Sequence, residues 1–289
     1  MKFIKIILLL AIFGYIFYGF DFSKIDFSKI SILSTLITAF ILFIGQVVLS
    51  IRFMKIIDLK FNVAYETIVI SNALNMFLPA RLGEVIKGLY LKKFYDYDYN
   101  KSISAVFIER FFDVIMLFLI ILSWGYFYFT NEVIKNSIIG LSIFILLTIL
   151  FFNSKIVLKL FQKFEFLTKI YNNIHLLFKK SWNLLFWSIV LWFCYLLSYG
   201  SFFDFLTFNQ VIELFIFSTV ALAIPLAPAG IGTFEGVIVF YLGNYGVSKE
   251  EAFLFASVYH IIILLVDLLM FYVLLWNKNL NFKELKGLQ

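Results

Sequence analysis

Six stretches of this chain, near residues 3–20, 31–51, 102–130, 134–152, 182–203 and 250–276, are apolar over the length needed to cross a bilayer. No water-soluble core absorbs that many greasy segments in 289 residues. Composition agrees: 63% of the residues are hydrophobic and 15% charged, where an ordinary soluble domain has ~25% charged. Thirty-nine Phe and only three Pro fit helices in lipid better than the short alternating strands of a barrel. The expectation is an all-α polytopic membrane protein. Its N-terminus carries Lys2 and Lys5 as a signal peptide would, but runs on through the bulky FGYIFYGF with no small-residue cleavage site, so it reads as an uncleaved first span. The single cysteine, Cys194, excludes an intramolecular disulfide and sits in an apolar run as a packing residue.

Two more apolar regions, about 63–94 and 211–243, are broken in the middle by Pro and Gly. Read as re-entrant hairpins among six full spans, with the N-terminus in the cytoplasm, they set the side of every basic residue. The cytoplasmic side receives Lys2 and Lys5; Arg52, Lys55 and Lys60; Lys87, Lys92, Lys93 and Lys101; Lys155, Lys159, Lys163, Lys169, Lys179 and Lys180; and Lys278, Lys283 and Lys286. That is eighteen of the 24 basic residues. Lys24, Lys29, Lys135 and Lys249 fall outside, and Arg81 and Arg110 stay at membrane depth. The positive-inside rule is satisfied, whereas full crossings at the broken regions would put the basic loops on the wrong side. The formal charge of +6 therefore reports membrane orientation and not nucleic-acid binding. Residues 153–181, amphipathic and lysine-rich, read as a surface helix on anionic headgroups.

The breaks repeat. PARLG at 79–83 recurs as PAGIG at 228–232, an offset of 149 residues, and each is followed by a glutamate, Glu84 and Glu235. The spans beginning near 31 and 102 have counterparts near 182 and 250. The first hairpin has both ends inside and the second both ends outside. The chain thus divides into a first inverted repeat, 1–130, a second, 131–276, which contains the segment 153–181, and a cytoplasmic tail, 277–289, all within one membrane domain. In transporters this arrangement brings discontinuous helices together near the bilayer midplane.

Chemistry concentrates at the breaks. Pro79 removes a backbone donor and Gly83 permits unusual backbone or close packing; Pro225, Pro228, Gly230 and Gly232 do the same in the second copy. Helices that start there would aim N-terminal amides, which favour anions, at the membrane interior from opposite sides. Ordinary proline kinks are the plainer alternative. Arg81, Glu84, Glu109, Arg110, Asp113, Glu235 and Asp267 all lie in apolar segments, at a cost of ~2.5–3.5 kcal/mol each on insertion scales, so they pair or face a wet cavity. Glu109 and Asp113, at i and i+4, share a helix face, and Arg81 is their candidate partner across helices. They read equally as a static ion-pair lock; the arginines suit phosphate, which a guanidinium grips bidentately. His260 follows Arg110 by 150 residues and stands in the second half where an arginine stands in the first, although a packing role fits it too. His175 reads as a surface residue. Ser71, Asn72 and Asn75 precede the first break and can satisfy loose backbone groups. No nucleotide loop, metal-ligand spacing or nucleophile elbow is present, so neither a cofactor nor a metal is expected, and the chain does not read as an enzyme.

The set PARLGE, ERFFD and PLAPAGIGTFEG, in this order and at these intervals, resembles the flippase-like transmembrane family. That family includes the membrane half of lysylphosphatidylglycerol synthases and many stand-alone bacterial and archaeal relatives. The resemblance covers nearly the whole chain. It matches Pro79, Arg81, Gly83 and Glu84 to the first broken helix, Glu109, Arg110 and Asp113 to the following span, and Pro228, Gly230, Gly232 and Glu235 to the second break. Ala229 stands where relatives often have another glycine, and His260 where arginine is expected. The aminoacyl-transferase domain of the bifunctional members is missing, so the resemblance implies lipid translocation without lipid synthesis.

The expected function is flipping of a lipid or polyprenyl-linked amphiphile, with a phosphate-containing headgroup, between leaflets of the cytoplasmic (inner) membrane of a bacterium, both termini cytoplasmic. Arg81, Arg110 and the glycine-rich break would hold phosphate; Glu84, Glu109, Asp113, Glu235 and His260 would complete the site. The expected partners are membrane lipids, with a homo-oligomer and a separate lipid-modifying enzyme as further possibilities. The alternatives are a secondary transporter of a small anion, coupled to protons through His260 or a carboxylate, and a membrane enzyme using Glu109 or Asp113 as base.

Overall fold

A computed structural model describes residues 2–78, 82–125, 143, 165–178, 181–223 and 226–278. Pro79, Arg81, Pro225, all but residue 143 of the span expected at 134–152, residues 153–164 and 179–180 of the segment 153–181, and nearly all of the tail lie outside these residues. Among the described residues the structure is helical throughout. Helix α1 (Lys2–Phe17) leads into two 3-10 turns, Phe22–Lys24 and Phe27–Lys29. These turns carry the pentapeptide DFSKI twice and fold identically: Asp21 and Asp26 each accept bonds from the backbone N–H and hydroxyl of the serine two residues on, at 3.0 and 2.6 Å. Helices α2 (Ile32–Ile57), α3 (Phe61–Asn75), α4 (Gly83–Tyr95) and α5 (Tyr99–Ile120) follow, then α6 (Glu165–Phe178), α7 (Ser181–Phe202), α8 (Phe208–Ala223), α9 (Thr233–Gly243) and α10 (Lys249–Lys278).

Three described helices, Ile32–Ile57, Trp182–Phe202 and Lys249–Asn277, are long and apolar enough to cross a membrane, and the pair Ile7–Phe17 and Phe22–Lys29, bent by 65°, would make a fourth. Large apolar side chains point outward from them, among them Ile32, Leu36 and Phe40 on α2, Phe186 and Phe193 on α7, and Leu269, Tyr272 and Trp276 on α10. A soluble protein does not leave such continuous faces bare; lipid covers them. The chain is a multi-pass membrane protein. Inside, α2 lies along α7, and α10 packs on α2, α3 and α9. Cys194 is buried at the α2–α7 seam beside Gly45.

The two broken regions are helix pairs folded back on themselves. Their arms have 15 and 13 residues in α3–α4 and 16 and 11 in α8–α9. At ~1.5 Å per residue none of these arms reaches across a hydrocarbon core of ~30 Å. Each pair is fastened near its open end by a carboxylate that accepts two phenols. Glu66 Oε2 accepts from Tyr90, at 3.3 Å, and from Tyr95. Glu213 Oε2 accepts from Tyr241 and Tyr245, at 2.9 and 3.1 Å. Helix α6 places Tyr171, Ile174 and Leu177 inward against α5 and leaves His175 exposed.

The structure corrects two side chains assigned to cytoplasmic loops. Helix α2 does not stop near residue 51; Phe53, Ile56 and Ile57 are all buried, and the helix runs on to Asp58, whose left-handed backbone (φ 57°) closes it. Arg52 is therefore well inside a helix and 1% exposed. Lys87, on the buried face of α4, is also 1% exposed. Lys55, Lys60, Lys92 and Lys93 are exposed.

Candidate functional site

The first break is shaped by a close approach. A Cβ at Gly83 would stand 2.2 Å from the Ser71 carbonyl oxygen, so only glycine lets α4 begin against α3. Asn75 Oδ1 accepts the Gly83 N–H at 2.8 Å, and the Ser71 hydroxyl donates to the Gly83 carbonyl at 2.9 Å. Two of the three polar residues ahead of the break thus serve its backbone. The third, Asn72, turns elsewhere: its amide donates to Gln46 Oε1 at 2.7 Å, and Gln46 Nε2 donates to Asp267 Oδ1 at 2.8 Å.

Behind this break lies a cluster of six charges. Glu109 and Asp113 share one face of α5, and the group they face is Arg52: Nη1 to Asp113 Oδ1 is 2.7 Å and Nη2 to Glu109 Oε1 is 3.6 Å. Lys87 Nζ sits 2.8 Å from Glu109 Oε2 and 2.7 Å from Glu84 Oε2. Ser188 and the Trp192 indole, both on α7, approach Arg52 and Asp113 at 3.2 and 3.3 Å. Arg110 is the sixth member. Its contacts are longer, 3.5 Å to Glu84 and 3.3 Å to Asp113, its side chain is 37% exposed, and its buried Nε hydrogen-bonds nothing among the described residues. Three cations meet three carboxylates, so the cluster is formally neutral. Arg52 and Lys87, missed by charge counting, are its centre. The signals were an arginine flanked by apolar residues in LSIRFMKII and the i, i+3 spacing of Glu84 and Lys87.

The second break is built differently. After Pro228 the backbone turns left-handed at Ala229 (φ 55°), Gly230 (φ 80°) and Gly232 (φ 86°). Glycine adopts such angles freely; alanine does not. Glu235, three residues into the new helix, reaches back so that its Oε2 accepts the Gly232 N–H at 2.7 Å. Its Oε1 lies 2.6 Å from His260 Nδ1 on α10. His260 Nε2 lies 3.1 Å from the Ala229 carbonyl, which only accepts, so Nε2 is the donor of that bond. His260 thus ties α10 to the strained turn.

The sequence leads one to expect helix ends with amides open to an anion. Two of these amides are already taken: Asn75 holds that of Gly83 and Glu235 that of Gly232. Each new helix also carries a glutamate in its first turn, Glu84 in α4 and Glu235 in α9, which complements the helix dipole from within the protein.

Both breaks open on one cavity of about 230 Å³. Asn72, Asn75, Glu84 and Arg110 line it from the first half and Ala229, Gly230, His260 and Asp267 from the second; Tyr195 and apolar side chains such as Leu49, Leu222 and Leu264 complete the wall. Glu109, Arg52 and Lys87 stand behind the wall and do not line it. Among the described residues no group of His, Cys, Asp and Glu could hold a metal ion. Arg81, the other arginine expected here, lies outside the described residues.

The family described as "Lysylphosphatidylglycerol synthase TM region" matches residues 2–270. A curated relative, the UPF0104 membrane protein MJ1078 of Methanocaldococcus jannaschii, is 30% identical over 220 residues, which cover 69% of this chain and 93% of the relative. No solved structure matches the chain. The chain belongs to the family of lysylphosphatidylglycerol synthase membrane regions.

Proposed function

We propose that this member of the lysylphosphatidylglycerol synthase membrane-region family moves an amphiphile with a phosphate-containing headgroup between the leaflets of the cytoplasmic membrane. The polar cavity between the two helix breaks carries the reading. It draws ionisable residues from both halves, in a chain whose outer faces are otherwise apolar. The headgroup occupies the cavity while acyl or prenyl tails remain in lipid, and fixed dipoles replace part of the water that the headgroup gives up.

In this reading the α3–α4 and α8–α9 pairs are re-entrant hairpins of an inverted repeat with six full spans, both termini cytoplasmic. Three correspondences support it. Glu84 meets Arg110 as Glu235 meets His260, with offsets of 151 and 150 residues. Glu66 accepts two phenols as Glu213 does. The arms are also too short to span.

Arg110 is the phosphate ligand on the described side of the site. Both of its ion pairs are long and its side chain is 37% exposed on the cavity, so an incoming phosphate oxygen can reach it and competes with partners held loosely. Arg52 and Lys87, each 1% exposed and each with at least one contact of 2.7–2.8 Å, are scaffold. Arg81 is assigned the same phosphate role as Arg110. Glu84, Glu109 and Asp113 position these cations, and Gly230, Gly232, Glu235 and His260 form the opposite wall.

Translocation of a fluorescent anionic phospholipid in proteoliposomes tests this. Arg110→Ala, and separately Arg81→Ala, should slow headgroup translocation by about tenfold or more, the worth of a charge-assisted hydrogen bond of ~1.5–3 kcal/mol. Both variants should still insert in the membrane. Wild-type flipping by both would refute the assignment. Uptake of a soluble anion without lipid movement would replace it with a solute transporter.

A further inference from the structure

Among the described residues the charges around the cavity nearly cancel, and the remainder is informative. Arg52, Lys87 and Arg110 are matched by Glu84, Glu109 and Asp113. Glu235 is paired with His260 at 2.6 Å. Asp267 is left over. It lines the cavity from the middle of α10, and among the described residues it forms no ion pair. The groups facing this region are Gln46 from α2, Asn72 from α3, Glu84 from α4, Arg110 from α5, Tyr195 from α7 and the Glu235–His260 pair from α9 and α10. Of these, Gln46 alone among the described residues hydrogen-bonds Asp267.

The chain of amides leading to Asp267 has a direction. Asn72 Nδ2 donates to Gln46 Oε1, and Gln46 Nε2 donates to Asp267 Oδ1, so every bond points at an accepting carboxylate. A protonated Asp267 is a donor as well, and it needs an acceptor. Rotation of the Gln46 and Asn72 carboxamides together supplies one: Asp267 O–H then donates to Gln46 Oε1, and Gln46 Nε2 donates to Asn72 Oδ1. The reversal ends on Asn72, one turn before Asn75, whose side chain holds the first amide of α4.

We propose that Asp267 takes up and releases a proton during the transport cycle, and that Gln46 and Asn72 relay its protonation state to the first helix break. This rests on the translocation reading above. The step is –COO⁻ plus H⁺ giving –COOH, the proton being taken from bulk water and returned to it within the cycle. Protonation neutralises the cavity carboxylate that has no cation among the described residues, so the neutral form suits a site closed to water and the charged form an open one. A proton gradient thereby acts on the hairpin that carries Glu84 and Lys87.

Two measurements on the full chain test this in proteoliposomes with an anionic fluorescent phospholipid. Infrared difference spectra on acidification should show a protonated-carboxyl stretch in the wild type that is missing in D267N and displaced in Q46L. An imposed gradient of one pH unit should shift the wild-type leaflet distribution of the probe by up to about tenfold, the equilibrium weight of one proton per cycle. D267N should show no response to the gradient, and Q46L a reduced one. The proposal is overturned if the carboxyl stretch persists in D267N, if D267N responds like the wild type, or if a sodium gradient substitutes for protons. If the wild type moves no lipid under any condition, the translocation reading falls, and the infrared result alone decides the fate of Asp267. If D267N does not fold, D267E and Q46L decide: both must alter the stretch.

Discussion

Lys87 is the most telling residue to remove, because it neutralises two carboxylates at once. Its ammonium lies 2.7 Å from Glu84 and 2.8 Å from Glu109, and its stem passes over the Phe53 ring with Nζ 5.3 Å from the centroid. Lys87→Met keeps the volume and deletes the charge. The cluster then holds three carboxylates against two guanidinium groups. Glu109 is fully buried, and its only remaining cation would be Arg52 at 3.6 Å. Removing one partner of a buried pair costs ~3–5 kcal/mol, mostly from the charge left uncompensated. Glu109→Gln alone errs in the other sense, with three cations against two carboxylates, and should be destabilised as well. The double variant restores neutrality. It should recover roughly 2 kcal/mol relative to the sum of the singles, within the range seen for residues in one network. Glu84→Gln should rescue less, because Glu84 is partly exposed and also meets Arg110. The assay is reversible unfolding of the purified protein in detergent, run as a double-mutant cycle. Additive losses, or a Lys87→Met variant within 0.5 kcal/mol of wild type, would refute the reading of the cluster as a charge-balanced scaffold.

Ala229 carries a backbone angle that glycine tolerates better (φ 55°). Ala229→Gly should raise stability by roughly 0.5–1 kcal/mol, the left-handed strain less glycine's extra entropy, and thermal unfolding would show it; a loss would mean that the alanine methyl is needed for packing. The phenol clamps predict a local effect. Tyr95→Phe and Tyr241→Phe each remove a donor from a carboxylate, at about 1.5–3 kcal/mol if the acid stays ionised. Hydrogen exchange should accelerate at the open end of the affected hairpin and leave the break itself unchanged, and a uniform acceleration would count against separate clamps.

Much of the architecture was legible because its signals are local. Apolar length marks α2, α7 and α10, and proline with glycine marks the points at which α4 and α9 begin. The i, i+4 spacing of Glu109 and Asp113 places both on one face of α5, where the structure has them. What escaped is pairing, which depends on rotation and depth and not on position along the chain. The hairpin topology alone sorts Arg52 and Lys87 into loops between apolar segments, yet helix α2 continues past Arg52 and α4 turns Lys87 inward. Glu66 and Glu213 carried no motif at all. Their tyrosines stand 24 to 32 residues away, beyond any helical period. The Asn72–Gln46–Asp267 chain joins three helices separated by up to 221 residues and leaves no trace in any one of them.

The distances also bear on how a neutral site can admit an anion. Were all six cluster charges held equally tightly, phosphate would find no cation to spare, and a cavity beside them would be electrostatically inert. They are not equal. Arg52 and Lys87 each have a contact of 2.7–2.8 Å, though Arg52 meets Glu109 only at 3.6 Å, and both are walled off, whereas Arg110 has no contact shorter than 3.3 Å and sits partly exposed on the cavity. A Coulomb energy scales inversely with distance and grows as water is excluded, so the tight pairs fix the geometry and the loose one is the cheapest to exchange. Glu84, released from Arg110, still has Lys87 at 2.7 Å, and Asp113 still has Arg52. In the proposed cycle, a headgroup can therefore borrow Arg110 without orphaning either acid. The opposite wall offers no equivalent, since His260 is held at both ring nitrogens. The exchangeable cation among the described residues belongs to the first half.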